Sequence, residues 1–273
     1  MTVKPKLAMC NFITDLGRLK EFAVKHGFDG IDWSFDLENL PQGPAEDSRW
    51  VELMSQLEPL ELRFHCPFMK LDIGHEDVGK GRKAVGIFQR IIQMVSKTNG
   101  KYLTVHIGLG HDTTKILSWH DTIDNLHKMV RYGAERGVVV CLENLKWGWT
   151  SKPNLFEKLV RRSGAGVTFD IGHAHACETV RSQHYTAEDF VSPHPDKVFN
   201  AHVYHTELSG VGHLPPEDVD QIRNRLQVLQ RIGCSWWTLE IRDTEGLLKA
   251  KSVIAAFFRE EHDRCHENHP DSA

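Results

Sequence analysis

Six apolar runs of this chain end in a side chain able to bind a divalent ion. They are His65 in LRFHCP, His106 in LTVHIG, Glu143 in VCLENL, Asp170 in VTFDIG, His202 in NAHVYH and Glu240 in TLEIRD. A carboxylate at the tip of a buried strand is costly unless a partner or a metal compensates it. Three converging carboxylates would repel one another, and a divalent cation removes that conflict. Carboxylates joined by a single imidazole are an oxygen-rich set suited to Mn²⁺, Mg²⁺, Co²⁺ or Zn²⁺. With His65 and His106 the set becomes nitrogen-rich enough to favour zinc and a second ion.

The chemistry expected is isomerisation or epimerisation of a small sugar or sugar phosphate. An ion that chelates a carbonyl oxygen and the neighbouring hydroxyl acidifies the proton between them and stabilises the resulting enediolate. Glu143 and Glu240, on the fifth and eighth runs, would flank the substrate. One takes the proton and the other returns it, provided one carboxyl is protonated at that moment. His173 would donate to a substrate hydroxyl, Lys146 and Arg242 would bind a phosphate or carboxylate, and Trp147 and Trp149 in LKWGWT would cover the cup. The alternatives are a place behind the ligands for His173, solvated charge for Lys146 and Arg242, and loop packing for the tryptophans. His175 reads as structural.

Eight strands are needed to bring such residues together, and the hydrophobic period supplies them. The candidates are Leu7–Phe12, Gly30–Ser34, Glu61–His65, Tyr102–Ile107, Val138–Glu143, Val167–Asp170, Val198–Val203 and Trp236–Ile241. Helical patterns fall near Leu16–His26, Ser48–Leu57, Arg82–Thr98, Thr114–Arg136, Asn154–Ser163, Pro216–Ile232 and Glu245–Asp263, with a sixth helix, cut by Pro193 and Pro195, within Ala187–Asp196. Asp15 and Ser48 are candidate N-caps. Gly27, Gly100, Gly137, Gly164 and Gly233 follow helical stretches where a left-handed residue is needed. If the six strand-end residues point inward, so do Arg63, Thr104, Cys141, Thr168, Asn200 and Thr238, while Phe64, Val105, Leu142, Phe169, Ala201 and Leu239 face the helices. This is the rhythm of a single-domain α/β fold, a (β/α)₈ TIM barrel over residues 1–273 with a frayed tail from about residue 265. An open doubly wound sheet is the competing arrangement.

Bulk properties narrow the function classes. The net charge of −4 offers no global attraction for a polyanion, which counts against nucleic acid. No run is long enough to span a bilayer, and the N-terminus lacks a signal-peptide pattern. Six scattered cysteines without C-x-x-C spacing read as reduced thiols in a cytoplasmic protein. Neither a phosphate-binding G-x-x-x-x-G-K-[ST] nor G-x-S-x-G nor H-E-x-x-H is present. Oligomeric state, including a homo-oligomer, is open.

LEN at 142–144, the D-x-x-H of FDIGHAHA, AHVYH, GHLPPEDVD and the terminal LEIR together resemble the xylose isomerase-like TIM barrels. That family includes sugar-phosphate isomerases and epimerases and the endonuclease IV type of apurinic-site nuclease. In the epimerases the resemblance implies one divalent ion held by Glu143, Asp170, His202 and Glu240. In the nuclease it implies three zinc ions, with His65, His106, His173 and His213 added, and hydrolysis of phosphodiesters at abasic DNA. The nuclease places an aspartate two residues before the histidine matching His213. Val211 stands there, so a third zinc would lack that ligand. A nuclease also needs cations around the cup, and its loops offer few, among them Lys70, Lys146 and Arg242.

Overall fold

The computed structural model describes residues 4–68, 71–109 and 113–267; Lys70 and residues 268–273 of the tail lie outside them. Eight strands form the wall: β1 (Lys6–Cys10), β2 (Gly30–Ser34), β3 (Glu61–His65), β4 (Tyr102–Val105), β5 (Val139–Glu143), β6 (Gly166–Asp170), β7 (Val198–Val203) and, after a two-stranded hairpin of β8 (Thr206–Leu208) and β9 (Gly212–Leu214), β10 (Trp236–Leu239). All pairs in the wall are parallel and close in the order β1-β10-β7-β6-β5-β4-β3-β2. The closed barrel, not the open sheet, is the architecture.

Closure follows from the alternation along each strand. Phe64, Val105, Leu142, Phe169, Ala201 and Leu239 are fully buried in the apolar layer beneath the helices. Their neighbours of opposite parity fill the bore with polar groups, several of which hydrogen-bond to one another. Thr104 and Thr168 share a hydroxyl hydrogen bond of 2.8 Å, and the Asn200 amide donates to Thr168 at 3.1 Å. Arg63 donates to the side chain of Asn200 and to the Phe199 carbonyl, and its guanidinium lies 4.1 Å from the Tyr102 ring centre and 4.3 Å from that of Trp236.

The helices are α1 (Leu16–Lys25), α2 (Pro44–Ser55), α3 (Val78–Val95), α4 (Trp119–Ala134), α5 (Pro153–Ser163), α6 (Ile171–Ala176), α7 (Glu178–Arg181), α8 (Arg223–Arg231) and α9 (Thr244–Glu267). Asp15 caps α1 as expected. Ser48 caps nothing: Pro44 at the first turn starts α2 earlier, and the Ser48 hydroxyl bonds back to the Pro44 carbonyl. Asp77 and Ser118, which cap α3 and α4, set two further boundaries that period alone misplaced. The sixth helix is not within Ala187–Asp196, where two short 3₁₀ turns lie; α6 and α7 follow β6 directly. Gly27, Gly137, Gly164 and Gly233 have positive φ, whereas Gly100 does not. Gly100 is instead the seat of the Phe64 ring, which a Cβ would meet at 2.2 Å. The tail expected to fray from 265 stays helical to Glu267. Among the described residues no helix is long and apolar enough to cross a membrane, and Cys10, Cys66, Cys141, Cys177 and Cys234 are free and buried. The Cys265 side chain lies outside the described part.

Candidate metal centre

The C-terminal ends of β3, β5, β6, β7 and β10 converge on one cup. Glu143, Asp170 and His202 each end or nearly end their strand, and Glu240 follows β10 immediately. All four are buried, and one donor atom from each lies within 4.8 Å of the others. His202 is the hub: its Nδ1 stands 3.1 Å from Glu143 Oε1, 3.2 Å from Glu240 Oε2 and 3.8 Å from Asp170 Oδ2. β5 and β10 are separated by two strands in the wall, yet their glutamates meet at the tips.

Local structure holds these groups in place. Asp170 Oδ1 accepts the His173 backbone N–H at 2.6 Å, so one carboxylate both faces the cup and caps α6. Its backbone is clasped by Asn144, which donates to the Asp170 carbonyl and accepts its N–H, both at 2.8 Å. The second oxygen of Asp170 accepts from the Tyr204 hydroxyl at 3.0 Å. Gly172 makes room for that tyrosine: a Cβ would meet its ring at 2.1 Å.

Two further groups flank the four. His65 and His106 both bring Nε2 to Glu143 Oε2, at 3.2 and 2.9 Å. On the other side His173, His213 and Glu207 bring donor atoms within 4.8 Å. His213 Nδ1 lies 2.9 Å from the Glu240 carbonyl and His173 Nδ1 lies 3.1 Å from the Asn144 carbonyl, which places a proton on each Nδ1 and frees each Nε2 for a ligand. Val211 is 69% exposed and takes no part, but Glu207 sits directly across the β8–β9 hairpin from His213.

Glu207 also pairs with Lys146, at 3.0 Å. The Arg242 guanidinium lies over the Phe68 ring, 4.8 Å from its centre, at the mouth. Trp147 lines a cavity of about 500 Å³ above the cup, with Phe68, Leu109, His173 and Arg242. Trp149 does not cover the cup: it packs edge-on against Trp119, 5.0 Å between ring centres, and faces a neighbouring cavity. His175 is exposed beside His205, and Cys177 is buried away from the cup against Ala174 and Thr179. Sequence reading missed Asp32, Tyr204 and Glu207. A charged residue inside the apolar strand GIDWS was a signal for the first; the other two lie beyond the end of β7, where period gives no guidance.

The electrostatics match a site built for a cation. Burial alone would lift Glu143, but the charges of His202 and His106 and hydrogen bonds from His106 and His173 hold it well below the ordinary carboxylate range. Burial likewise opposes ionisation of Glu240, and His213 and His202 hold it low. Asp170 goes the other way: burial pushes it up to about 7, against the pull of His173 and with the Glu143 charge adding. Desolvation disfavours the imidazoliums, yet His202 and His173 are raised well above their ordinary value by the surrounding carboxylates. His65, hydrogen-bonded to the Cys66 carbonyl and Glu143, rises to about 9 despite burial. Protons on the histidines do the neutralising that a bound ion would do, and the donor set of carboxylates and one imidazole fits Mn²⁺, Mg²⁺, Co²⁺ or Zn²⁺.

The sequence profile described as xylose isomerase-like TIM barrel matches residues 21–260. The chain belongs to that family. Among curated relatives of this xylose isomerase-like barrel is an uncharacterized protein of Methanocaldococcus jannaschii, 26% identical over 191 residues, covering 70% of this chain and 77% of that one. Solved structures with the same fold include L-ribulose 3-epimerase, with a TM-score of 0.73, 14% identity and coverage of 98% and 99% of the two chains. A D-tagatose 3-epimerase-like protein aligns with a TM-score of 0.71, 18% identity and coverage of 95% and 99%. Endonuclease IV from Thermus thermophilus aligns with a TM-score of 0.68, 16% identity and coverage of 94% and 100%. At such identities these three likenesses speak to the barrel and not to its chemistry.

Proposed function

We propose that this barrel is a divalent-metal-dependent isomerase or epimerase of a small sugar or sugar phosphate. The observation that carries the reading is the buried quartet Glu143, Asp170, His202 and Glu240, two of whose members, Glu143 and Glu240, line a cavity of about 500 Å³. The epimerase names among structures sharing the fold agree with it. A divalent ion held by the quartet would supply Lewis acidity to a hydroxy-carbonyl substrate. Glu143 and Glu240, both held in the carboxylate form, are each able to take the carbon-bound proton. In isomerisation the carboxyl that receives it returns it to the adjacent carbon; in epimerisation the other glutamate, having first taken a proton from solvent, delivers that proton to the opposite face. His173 orients a substrate hydroxyl through Nε2, in competition with Glu207 at 3.2 Å. Trp147 and Phe68 exclude water from above, and Arg242 sits where a phosphate or carboxylate end would emerge. Five buried free thiols suit a reducing, cytoplasmic setting.

The test is solvent deuterium incorporation at a sugar carbon across a panel of ketoses, aldoses and their phosphates. The wild type is expected to exchange; Glu143→Gln and Glu240→Gln, with metal still bound, are expected to lose exchange. Undiminished exchange in both variants would overturn the proposal.

A second reading, zinc-dependent phosphodiester hydrolysis at abasic DNA, is favoured by one observation. His173, Glu207 and His213 form a second ligand cluster beside the quartet, with His65 and His106 on its other side. Incision of an abasic-site duplex by zinc-loaded protein, lost in Glu207→Ala, would select it over the sugar reading.

A further inference from the structure

Asp32 lies on β2, far in sequence from every ligand in the cup, and it is 3% exposed. Its Oδ2 stands 3.3 Å from His202 Nε2, the ring nitrogen that faces away from the quartet. Among the described residues this is its only ion pair. The Thr238 hydroxyl also donates to Oδ2, at 3.2 Å; Thr238 in turn accepts the indole N–H of Trp236 at 3.1 Å. Oδ1 is buried with no protein partner. A carboxylate is therefore sunk in the bore, fixed from below, with one imidazole nitrogen in front of it.

A neutral imidazole carries one proton, and the nitrogen without it is the ligand. His202 Nδ1 faces Glu143, Asp170 and Glu240, so it presents a lone pair to an ion only if the proton sits on Nε2. A buried Nε2–H needs an acceptor, and the Thr238 proton is already directed at Asp32. The acceptor is Asp32. The other histidines of the cup are backed differently: His65, His173 and His213 each turn Nδ1 to a backbone carbonyl, of Cys66, Asn144 and Glu240 respectively, and the buried Nδ1 of His106 has no protein partner. A carboxylate behind the ring is a stronger acceptor than a carbonyl and makes the imidazole a better donor to a metal.

We propose that Asp32 is a positioning residue that holds the proton on His202 Nε2, presents Nδ1 to the ion and makes the Glu143, Asp170, His202 and Glu240 site the tightest of the clusters in the cup. This rests on the metal reading above and adds an order of filling to it. The first ion to bind occupies the quartet, and the histidine groups on either side fill afterwards or not at all.

The experiment titrates metal-free wild type, Asp32→Asn and Asp32→Ala with Co²⁺, read by its visible absorption, beside ¹⁵N NMR of the histidine rings in the Zn²⁺-loaded proteins. Wild type is expected to bind one ion before any other and to show His202 protonated at Nε2 and coordinated at Nδ1. Removal of such a carboxylate is expected to weaken the first ion by roughly 10- to 100-fold, with Asp32→Ala at the upper end. Asp32→Asn keeps an oxygen for Thr238 and for Nε2, so it retains the ring's protonation pattern while losing affinity, and it carries the test if Asp32→Ala folds poorly. A merely structural role would lower the melting temperature of both variants while leaving the first dissociation constant within twofold, and that result overturns the inference with the metal reading intact. Failure of the wild type to bind any ion at the quartet overturns both.

Discussion

The bore of the barrel holds two polar rows that treat charge in opposite ways. The lower row, Arg63, Thr104, Thr168 and Asn200, is linked within itself by hydrogen bonds to neutral acceptors, and its one cation is wedged between two aromatic rings with the Glu61 carboxylate 3.4 Å away. In the upper row, two residues further along the strands, three carboxylates converge and share imidazoles with one another, so their charge is balanced only when those imidazoles carry protons. The lower row needs no added ion to balance its charge. The upper row is neutral only when protons, or an ion, are added to it. Polarity inside a barrel is therefore no sign of function in itself; incomplete compensation is.

Four results would break or sharpen that contrast. The largest effect is expected from Glu143→Gln, which should cut deuterium incorporation by about 10²- to 10⁴-fold, the range of a lost general base, while the protein stays folded by circular dichroism. An equal loss from Asn200→Ala would erase the distinction between the rows. Next, metal affinity should climb with pH. His65, His173 and His202 are raised and must shed protons for the ion, so each proton displaced costs about tenfold in affinity per pH unit below its pKa. Calorimetry at pH 6 and 8 should show tighter binding at 8 and proton release in both; pH-independent binding contradicts the charge balance drawn here.

Third, Asn200→Ala leaves Arg63 and two threonines short of partners and is expected to lose about 2–3 kcal/mol of stability in urea, with metal affinity within twofold of wild type. The smallest effect has the opposite sign. Burial raises Asp170 from its ordinary 3.8 to about 7, so between those values the native state binds more protons than the unfolded one. Metal-free stability from this group falls as pH rises through that window. Asp170→Asn, which can still cap α6, should thus raise the metal-free melting temperature at pH 8 by a few degrees and lower metal affinity. A lower melting temperature would show that Asp170 is stabilising as a charge.

Much of this was legible in the chain because strands alternate. Once His65, His106, Glu143, Asp170, His202 and Glu240 were read as strand ends of one parity, the residues two earlier had to share the bore, and they do. Local chemistry was less readable. Ser48 looks like a cap, but Pro44 starts the helix before it. Gly100 looks like a left-handed terminus, but a phenyl ring sits where its Cβ would be. Glu207 was invisible because only the antiparallel hairpin brings it opposite His213, and a three-residue strand has too little period to announce itself. Asp32 has the right parity but sits in mid-strand, below the row where ligands were sought.

The central claim is that carboxylates and an imidazole from separate strands share one ion. Crystals grown with Mn²⁺ and measured for anomalous scattering test it most directly. An anomalous peak bonded to Glu143, Asp170, His202 and Glu240 together is the predicted result. A map with no peak in the cup, with Mn²⁺ bound elsewhere or not at all, would contradict it.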